Sequence, residues 1–593
     1  MKVDRLSGML ADVAIAWLPC LVLFVLVPFA VYLPNQDEYD YNVVVMAPFL
    51  VLAGISFILI LASCFVGKRR RTGICLALFY LGVFFLLSDI FVPVQWGPLD
   101  GESKITEPLY LTVMELLLAA VVIFCAVKLP MNIARRFGVI LVLVLFVLVA
   151  HDIFQNLSKK TVWSVSDETG SRSSEIIPIK SSAGNGSNVY QVVFDGYSSF
   201  AFLDAVRELG LWGHFEGFTF FEKNLSNYVS TDISVPSFLT GKLYETGSFK
   251  QWQHQAKKSG LIGKLHDVGY TIWIYSPNRS RFWTHDKASY VRTNRELVNS
   301  YFSGYEMLNF AHIWLVRVAP NFLQDEAYRT GSKILDGLLK AFSTMATDKG
   351  LNRRLLKEYS FYKCLSVPLM RELMRDEARR RDYGEYVYCH VMLPHSPYNW
   401  DHDCSYSKQT SYSDQFLCAT KLMVEFVDEL KKLNRYESSL IIFQSDHAFH
   451  DFGPTDLREH EVPSEVTEAI NSFSKFSVDG YLNRLHALLL VKPPFAPRKR
   501  LIRSEAPTQL ADIPATVYDL LSIPDDTTDG RSVLALESSE QREIHMYVGM
   551  YSNNKNSKGL ILGKDIFRTK LGHLSFTNRT GWHLYPDLPV TYE

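Results

Sequence analysis

The sequence predicts a membrane-anchored α/β protein: a five-helix transmembrane domain, then an α/β/α domain closed by a small terminal sheet. Three observations carry this expectation. Nearly all the long apolar runs of the 593-residue chain lie before residue 156. After residue 188, short apolar strands alternate with helical stretches, the pattern of a parallel sheet covered on both faces. Two of those strands end in acidic residues, at Asp195 and Asp446, and in open α/β sheets ligands collect outside the carboxyl ends of strands.

The membrane part is read from length and charge. Segments at about 10–34, 44–66, 73–95, 108–128 and 137–153 each approach the roughly 20 apolar residues that span a bilayer. A signal peptide explains one such segment but not five in series. Basic residues fill the loop GKRRRTG at 67–73, and Lys128, Arg135 and Arg136 lie between the fourth and fifth segments, whereas NQDEYDY and LDGES occupy the other loops. The positive-inside rule therefore sets the N-terminus in the cytoplasm and everything after residue 155 outside. The domain expectation is 1–155 transmembrane, 156–188 a Ser/Gly-rich linker, and 189–593 extracytoplasmic.

Charge excludes one class of partner. The 61 basic and 62 acidic residues nearly cancel, so nothing in the bulk charge argues for nucleic acid. Of eight cysteines, Cys404 and Cys418 stand close in sequence on the side exposed to an oxidising compartment. Their spacing is no zinc signature, and a disulfide is expected.

In the second domain, strands are expected at 189–194, 270–275, 385–393, 439–444 and 486–491. Helices are expected at 199–209, 255–267, 331–345, 365–381, 415–433 and 509–521. The helical stretch at 305–380 is too long for one crossover and reads as an insertion. EIHMYVGMY and KGLILG, after residue 535, read as strands of the terminal sheet.

The chemistry-bearing stretches are QVVFDGYSS (191–199), NYVSTDISVPSFLTGK (227–242) and LIIFQSDHAFHDFG (440–453). Asp195 and the Asp446–His447 pair would bring two carboxylates and an imidazole together, a set that repels itself without a cation and suits Mn²⁺, Mg²⁺ or Zn²⁺. Thr231, Asp232 and Ser234 are helix-starting residues, Pro236 is expected in the first turn, and Gly241 reads as the stop. A hydroxyl at that helix start, beside a cation, is a nucleophile's environment. Capping alone would also place Thr231 or Ser234 there, and the residues by themselves leave both uses open.

Asp195, then Thr231-x-x-Ser234-Val235-Pro236-Ser237, then His395 in LPHSPY, then Asp446-His447, in that order, resembles the alkaline phosphatase/sulfatase superfamily. The five spans ahead of them are similar to its membrane-anchored branch of lipoteichoic acid synthases, glucan phosphoglycerol transferases and lipid A phosphoethanolamine transferases. NRLHALLLVKPP (483–494), TQLADIPATVYDLLSIP (508–524) and GRSVL (530–534) resemble the late strand, helix and closing turn of the same family, so the resemblance covers nearly the whole chain.

The resemblance implies a sulfatase-like catalytic domain in which Asp195, Thr231, Asp446 and His447 ligate the metal and Thr231 is also the nucleophile. His395 would meet the substrate phosphate, and His486 is a second candidate. In YSPNRSRFWTHDKASY (275–290), Trp283 matches a head-group-binding Trp, and His285 stands where relatives carry Arg. Three departures bear on the reading. Asp195 replaces the more frequent Glu. Phe238 stands where a sulfatase needs the Arg of its Pro-x-Arg motif, which argues against a converted formylglycine. Ser237 stands where ethanolamine transferases usually place Cys, which favours phosphoglycerol, although Cys404–Cys418 resembles a disulfide of the ethanolamine branch. The implied protein is a multi-pass enzyme of the bacterial inner membrane. It would carry the head group of phosphatidylglycerol, or alternatively phosphatidylethanolamine, to a glycan or lipid-linked acceptor. A hydrolase would share its first step. His390 alternates with apolar neighbours and reads as structural, and no pattern supports a second metal at His450 and Asp451.

Overall fold

The computed structural model describes residues 12, 15–32, 54, 68–92, 109–130, 132–145, 187–243, 260–277, 287–294, 296–297, 305–343, 365–407, 409–451, 462–473, 476–525, 527–549, 571–577 and 581–590. They fall into two compact units, one holding the residues before 178 with the segment 305–343, the other holding the rest.

In the first unit, helical turns at 18–32, broken by a π-helical piece at Val22–Leu26, pack with α1 (Lys68–Phe91), α2 (Leu109–Lys128) and a helical stretch at 132–145. Ile15, Leu18, Val22, Val27, Cys75 and Phe79 form their core. Among the described residues α2 alone is both long and apolar enough to cross a membrane. Its flanks are unburied: Leu117 is 62% and Phe124 63% exposed, a surface suited to lipid rather than water. The expected span at 44–66 lies outside the described residues except at position 54, as does the end of the span at 137–153. Two further helices, α6 (Tyr305–Val318) and α7 (Gln324–Ser343), belong to this unit.

The second unit is an α/β/α layer structure around an eight-stranded sheet of order β4-β3-β5-β1-β6-β7-β2-β8, with β4 (Tyr290–Thr293) and β8 (Ile502–Ser504) at its edges. Its centre is three parallel strands, β5 (Glu385–Val391), β1 (Val189–Phe194) and β6 (Leu440–Gln444), flanked by β3 (Thr271–Ser276) and β7 (Leu489–Lys492). β1, β5 and β6 are buried at every position, because helices cover both faces, so apolar residues predominate in all three and the polar ones, Gln191, Glu385, His390 and Gln444, are enclosed with them. Val189, Val193, Leu440 and Ile442 point into one core with Val235, Leu261 and Val517. On the other face Tyr190 and Phe443 meet Phe426 at centroid distances of 5.4 and 6.3 Å. The buried Gln191 accepts from Tyr386 Oη (2.6 Å) and donates to Gln444 Oε1 (2.8 Å), a polar link across the central strands.

The expected all-parallel sheet is corrected to a mixed one. β7 runs antiparallel to β6 and to β2 (Thr219–Phe221). The stretch between β6 and β7 holds two helices, α10 (Ser464–Phe473) and α11 (Val478–Leu485), which return the chain to the end of the sheet it left. Strand–helix alternation reads the same in sequence either way. β7 also starts later than expected, and His486 is the cap residue of α11, not a strand residue. The terminal sheet is three antiparallel strands, β9 (Glu543–Gly549), β10 (Leu571–Thr577) and β11 (Gly581–Val590); KGLILG and nearly all of the 156–188 segment lie outside the described residues.

Candidate active site

The register of the three central strands brings their carboxyl ends level. Val193 pairs with His390 on one side and Gln444 on the other, so Asp195 and Asp446 follow their strands into the same space. The chain turns sharply after Asp195: Gly196 has φ +74°, where a side chain is strained, and its N–H donates to Asp446 Oδ1 at 3.2 Å. Asp446 Oδ1 also accepts from the His447 N–H at 2.9 Å.

Thr231 arrives on α4 (Thr231–Thr240), whose start is fixed by a side-chain clamp. Ser234 Oγ and Ser226 Oγ both donate to the backbone carbonyl of Asp446, at 2.6 and 2.8 Å. Thr231 is the first residue of the helix, Ser230 is its cap residue, and Gly241 ends it in the left-handed region at φ +69°. Pro236 is the sixth helical residue, not part of the first turn as expected from sequence; it lies inside the helix and is buried. Thr231 Oγ1 lies 3.5 Å from His447 Nε2, at the helix end where backbone N–H groups favour anions.

The donor set fits a divalent cation. Ligand atoms of Asp195, Asp446 and His447 lie within 4.8 Å of one another, and all three residues are buried. Asp195 Oδ1 and Asp446 Oδ2 are enclosed without a hydrogen-bond donor, an arrangement that is costly for carboxylates unless a cation faces them. Burial alone would raise the Asp195 carboxyl, but His395 and a hydrogen bond from His390 outweigh it and hold it well below the usual carboxylate range. Burial first, and the Arg484 guanidinium second, push the His447 imidazole down to about 4, so it is neutral and able to ligate.

Around this cluster stand three further groups. His395 is half-buried, its backbone N–H donates to the Asp195 carbonyl at 3.1 Å, and its Nδ1 lies 2.5 Å from the Ser396 carbonyl. His390, expected to be structural, has Nε2 3.7 Å from Asp195 Oδ2 and Nδ1 3.2 Å from Tyr388 Oη, so it adjoins the site. Arg484, which no sequence pattern singled out, donates from Nε and Nη2 to the Val229 carbonyl (3.1 and 2.8 Å) and brings Nη2 to 2.9 Å from His447 Nε2. It therefore ties the approach to Thr231 to the imidazole; in sequence it falls in NRLHALLLVKPP, a stretch read as resembling a late strand, with nothing to mark it as a site residue.

Other candidates fall elsewhere. His486 is 2% exposed, packs on Phe200 at a centroid distance of 4.9 Å, and is pushed down to about 4 by burial. His450 packs on Phe449 and Phe476 and lies 3.2 Å from Asp451 Oδ2; among the described residues the single three-ligand cluster is the one at Asp195, Asp446 and His447. Trp283 and His285 lie outside the described residues. Cys404 and Cys418 are joined in a disulfide with Cα atoms 5.0 Å apart. It closes the loop that leads into α9 (Tyr412–Lys432), where Tyr412 Oη donates to the Gly196 carbonyl at 3.0 Å.

Residues 205–523 match the family model described as Sulfatase. No curated protein matches the chain. Solved structures similar to it include a protein in the alkaline phosphatase superfamily from Vibrio parahaemolyticus, at 13% identity and TM-score 0.41, covering 71% of this chain and 90% of that one. The lipoteichoic acid synthase LtaP from Listeria monocytogenes is similar at 11% identity and TM-score 0.37, over 70% of this chain and 90% of the synthase. The C-terminal periplasmic domain of EcEptC from Escherichia coli is similar at 11% identity and TM-score 0.34, over 69% and 96%.

Proposed function

The chain belongs to the sulfatase family, and from that premise we propose that it transfers a phospholipid head group, phosphoglycerol first, to a cell-envelope glycan through a phosphothreonine at Thr231. The observation that carries this reading is the placing of Thr231 Oγ1 at a helix start, 3.5 Å from the neutral imidazole of a buried two-carboxylate cluster. A divalent cation (Mn²⁺ or Zn²⁺, or Mg²⁺) held by Asp195, Asp446, His447 and Thr231 would lower the hydroxyl's pKa and offset charge on the phosphoryl oxygens.

The Thr231 oxygen forms a bond to phosphorus, the phosphorus–oxygen bond to diacylglycerol breaks, and the leaving alkoxide takes up a proton in place of the one Thr231 gives up. An acceptor hydroxyl then gives up its proton and bonds to the phosphorus, the Thr231 oxygen–phosphorus bond breaks, and Thr231 takes a proton back as the head group passes to the acceptor. His395, beside Asp195, and the Arg484 guanidinium are the groups on hand to orient phosphoryl oxygens. Sulfate-ester chemistry is disfavoured by Phe238, which is wholly buried in the core where the Pro-x-Arg motif would require Arg. The Ser234 hydroxyl is engaged on the Asp446 carbonyl.

In this reading residues 1–155 form five spans of a bacterial inner membrane, 156–188 a linker, and 189–593 an extracytoplasmic catalytic domain. Trp283 and His285 bind the glycerol part of the donor. The Cys404–Cys418 disulfide favours a second reading, phosphoethanolamine transfer from phosphatidylethanolamine. Phosphatidylglycerol labelled in its head group, supplied with a glycan, separates transfer from hydrolysis. Label recovered on sugar is the expected result; label recovered only as free glycerol phosphate makes the protein a phosphodiesterase.

A further inference from the structure

The α6–α7 hairpin stands far along the sequence from the expected spans, yet it belongs to the first unit and is fastened to α2. Asn321, in the single 3₁₀ turn between the two helices (Asn321–Leu323), donates from its backbone N–H to Glu115 Oε2 at 2.8 Å and from Nδ2 to Thr112 Oγ1 at 3.3 Å. Glu115 Oε1 accepts in turn from Ser88 Oγ on α1 at 3.2 Å. Trp314 Nε1, on α6, donates to the Leu23 carbonyl at 2.7 Å, and its ring lies 5.8 Å from that of Phe24. These contacts use one side of the hairpin, where Phe310, Val316, Asn321, Gln324 and Tyr328 are buried.

The other side of α6 is apolar and exposed. Met307, Ala311 and Leu315 recur at four-residue spacing, so they form one row along the helix. Phe322 and Leu323, in the turn, are exposed as well; Leu315 is 43% and Phe322 54% exposed. On α7 the exposed charged residues Glu326, Arg329 and Lys333 keep to a row of their own. Single exposed apolar residues are ordinary, but a continuous row of them marks a contact surface.

Position names the partner. Phe322 follows Asn321 directly and so stands beside the first turns of α2, where Leu109, Val113 and Leu116 are exposed apolar residues. Lys128, Arg135 and Arg136 mark the cytoplasmic end of α2, which sets Leu109 at the outer surface of the bilayer. Thr112 and Glu115, the residues that Asn321 holds, lie one to two turns inside that end, a depth of roughly 5–9 Å at 1.5 Å per residue. Interfacial helices bury their apolar faces about 5–10 Å into the boundary between head groups and acyl chains. We propose that the α6–α7 hairpin is an interfacial anchor, lying in the outer leaflet with Leu315 and Phe322 against acyl chains and Glu326, Arg329 and Lys333 toward head groups and water. The inference rests on the membrane part of the proposed function and is independent of the chemistry at Thr231.

The test places the photoreactive amino acid p-benzoylphenylalanine at one position at a time in the full chain. Each variant is reconstituted in vesicles of phosphatidylglycerol and phosphatidylethanolamine, illuminated, and weighed intact. Placed at Phe322 or Leu315, the probe is expected to leave the chain heavier by one phospholipid; placed at Glu326, it is not. Phe124, 63% exposed on α2, reports on the membrane reading by itself. Lipid adducts at Phe124 but at neither Phe322 nor Leu315 overturn the proposal and leave the membrane reading standing, while no adduct at any position contradicts both. Equal adducts at Glu326 and Phe322 reveal a hairpin with no fixed face toward lipid and overturn the proposal. Crosslinks from Phe322 and Leu315 to another part of the chain, or to a second copy, in place of lipid do so as well. Circular dichroism identifies a variant that fails to fold, and either hairpin position suffices.

Discussion

Ser234 Oγ donates to the backbone carbonyl of Asp446 at 2.6 Å, joining the helix that begins at Thr231 to the strand end that carries the candidate metal ligands. Ser226 Oγ binds the same carbonyl at 2.8 Å. The two hydroxyls set the distance between Thr231 and the candidate ligands. Ser234 is thus a positioning residue, although its sequence context, Ser-x-Pro, is the one a sulfatase uses for its reacting side chain.

Ser234→Ala should accordingly keep the covalent step and lose stability. One hydrogen bond is removed while Ser226 still satisfies the carbonyl, so the cost is about 1 kcal/mol. Thermal unfolding checks the loss, and single-turnover kinetics should show a slower but intact phosphorylation of the protein.

Asp446→Asn and His447→Ala should abolish metal binding while leaving the fold in place. Asn keeps the Oδ1 acceptor used by the Gly196 and His447 N–H groups but replaces the enclosed anionic oxygen that faces the cluster. Elemental analysis of the purified variants is the measurement. Stoichiometric metal in both would assign the wrong ligands.

A pH effect on stability is expected from the opposite end of the sheet. Burial raises the Glu385 carboxyl, at the start of β5, from 4.5 to about 7, against the pull of the Trp273 indole and the Arg381 N–H. Between those values the folded protein keeps a proton that the unfolded chain has released. Stability from this group is therefore intact below pH 4.5, falls as pH rises, and is lost above 7, by about 3 kcal/mol. Glu385→Gln keeps neutral acceptors at the site and should flatten the slope in unfolding midpoints measured from pH 4.5 to 8.

What could be read from the sequence follows from how strongly each feature is constrained. β1 and β6 were legible because burial on both faces demands a mainly apolar run, and Asp195 and Asp446 because a charge follows each run. β2 and β8 (Ile502–Ser504) have three residues each and β4 (Tyr290–Thr293) four, too few for any period to register. The antiparallel sense of β7 depends on where α10 and α11 carry the chain, which strand–helix alternation does not encode. His390 alternates with buried neighbours as a core residue does, yet the register with Val193 turns that alternation into proximity to Asp195. Arg484 sits on a helix of mixed polarity, and only the fold brings it to Val229 and His447. The α6–α7 hairpin reads as an insertion, but its association with the other helices of the first unit rests on single contacts such as Trp314 to Leu23, which leave no periodic trace.

In the proposed function Thr231 becomes phosphorylated by a lipid head group, and the decisive measurement is the intact mass of the purified chain after incubation with phosphatidylglycerol. The wild type should gain the mass of one glycerol phosphate. Thr231→Ser should gain it more slowly, because the hydroxyl remains but its rotamer is no longer restricted by the β-branch, and Thr231→Ala should gain nothing. An adduct that persists in Thr231→Ala and disappears in Ser234→Ala would move the nucleophile to Ser234 and contradict the account.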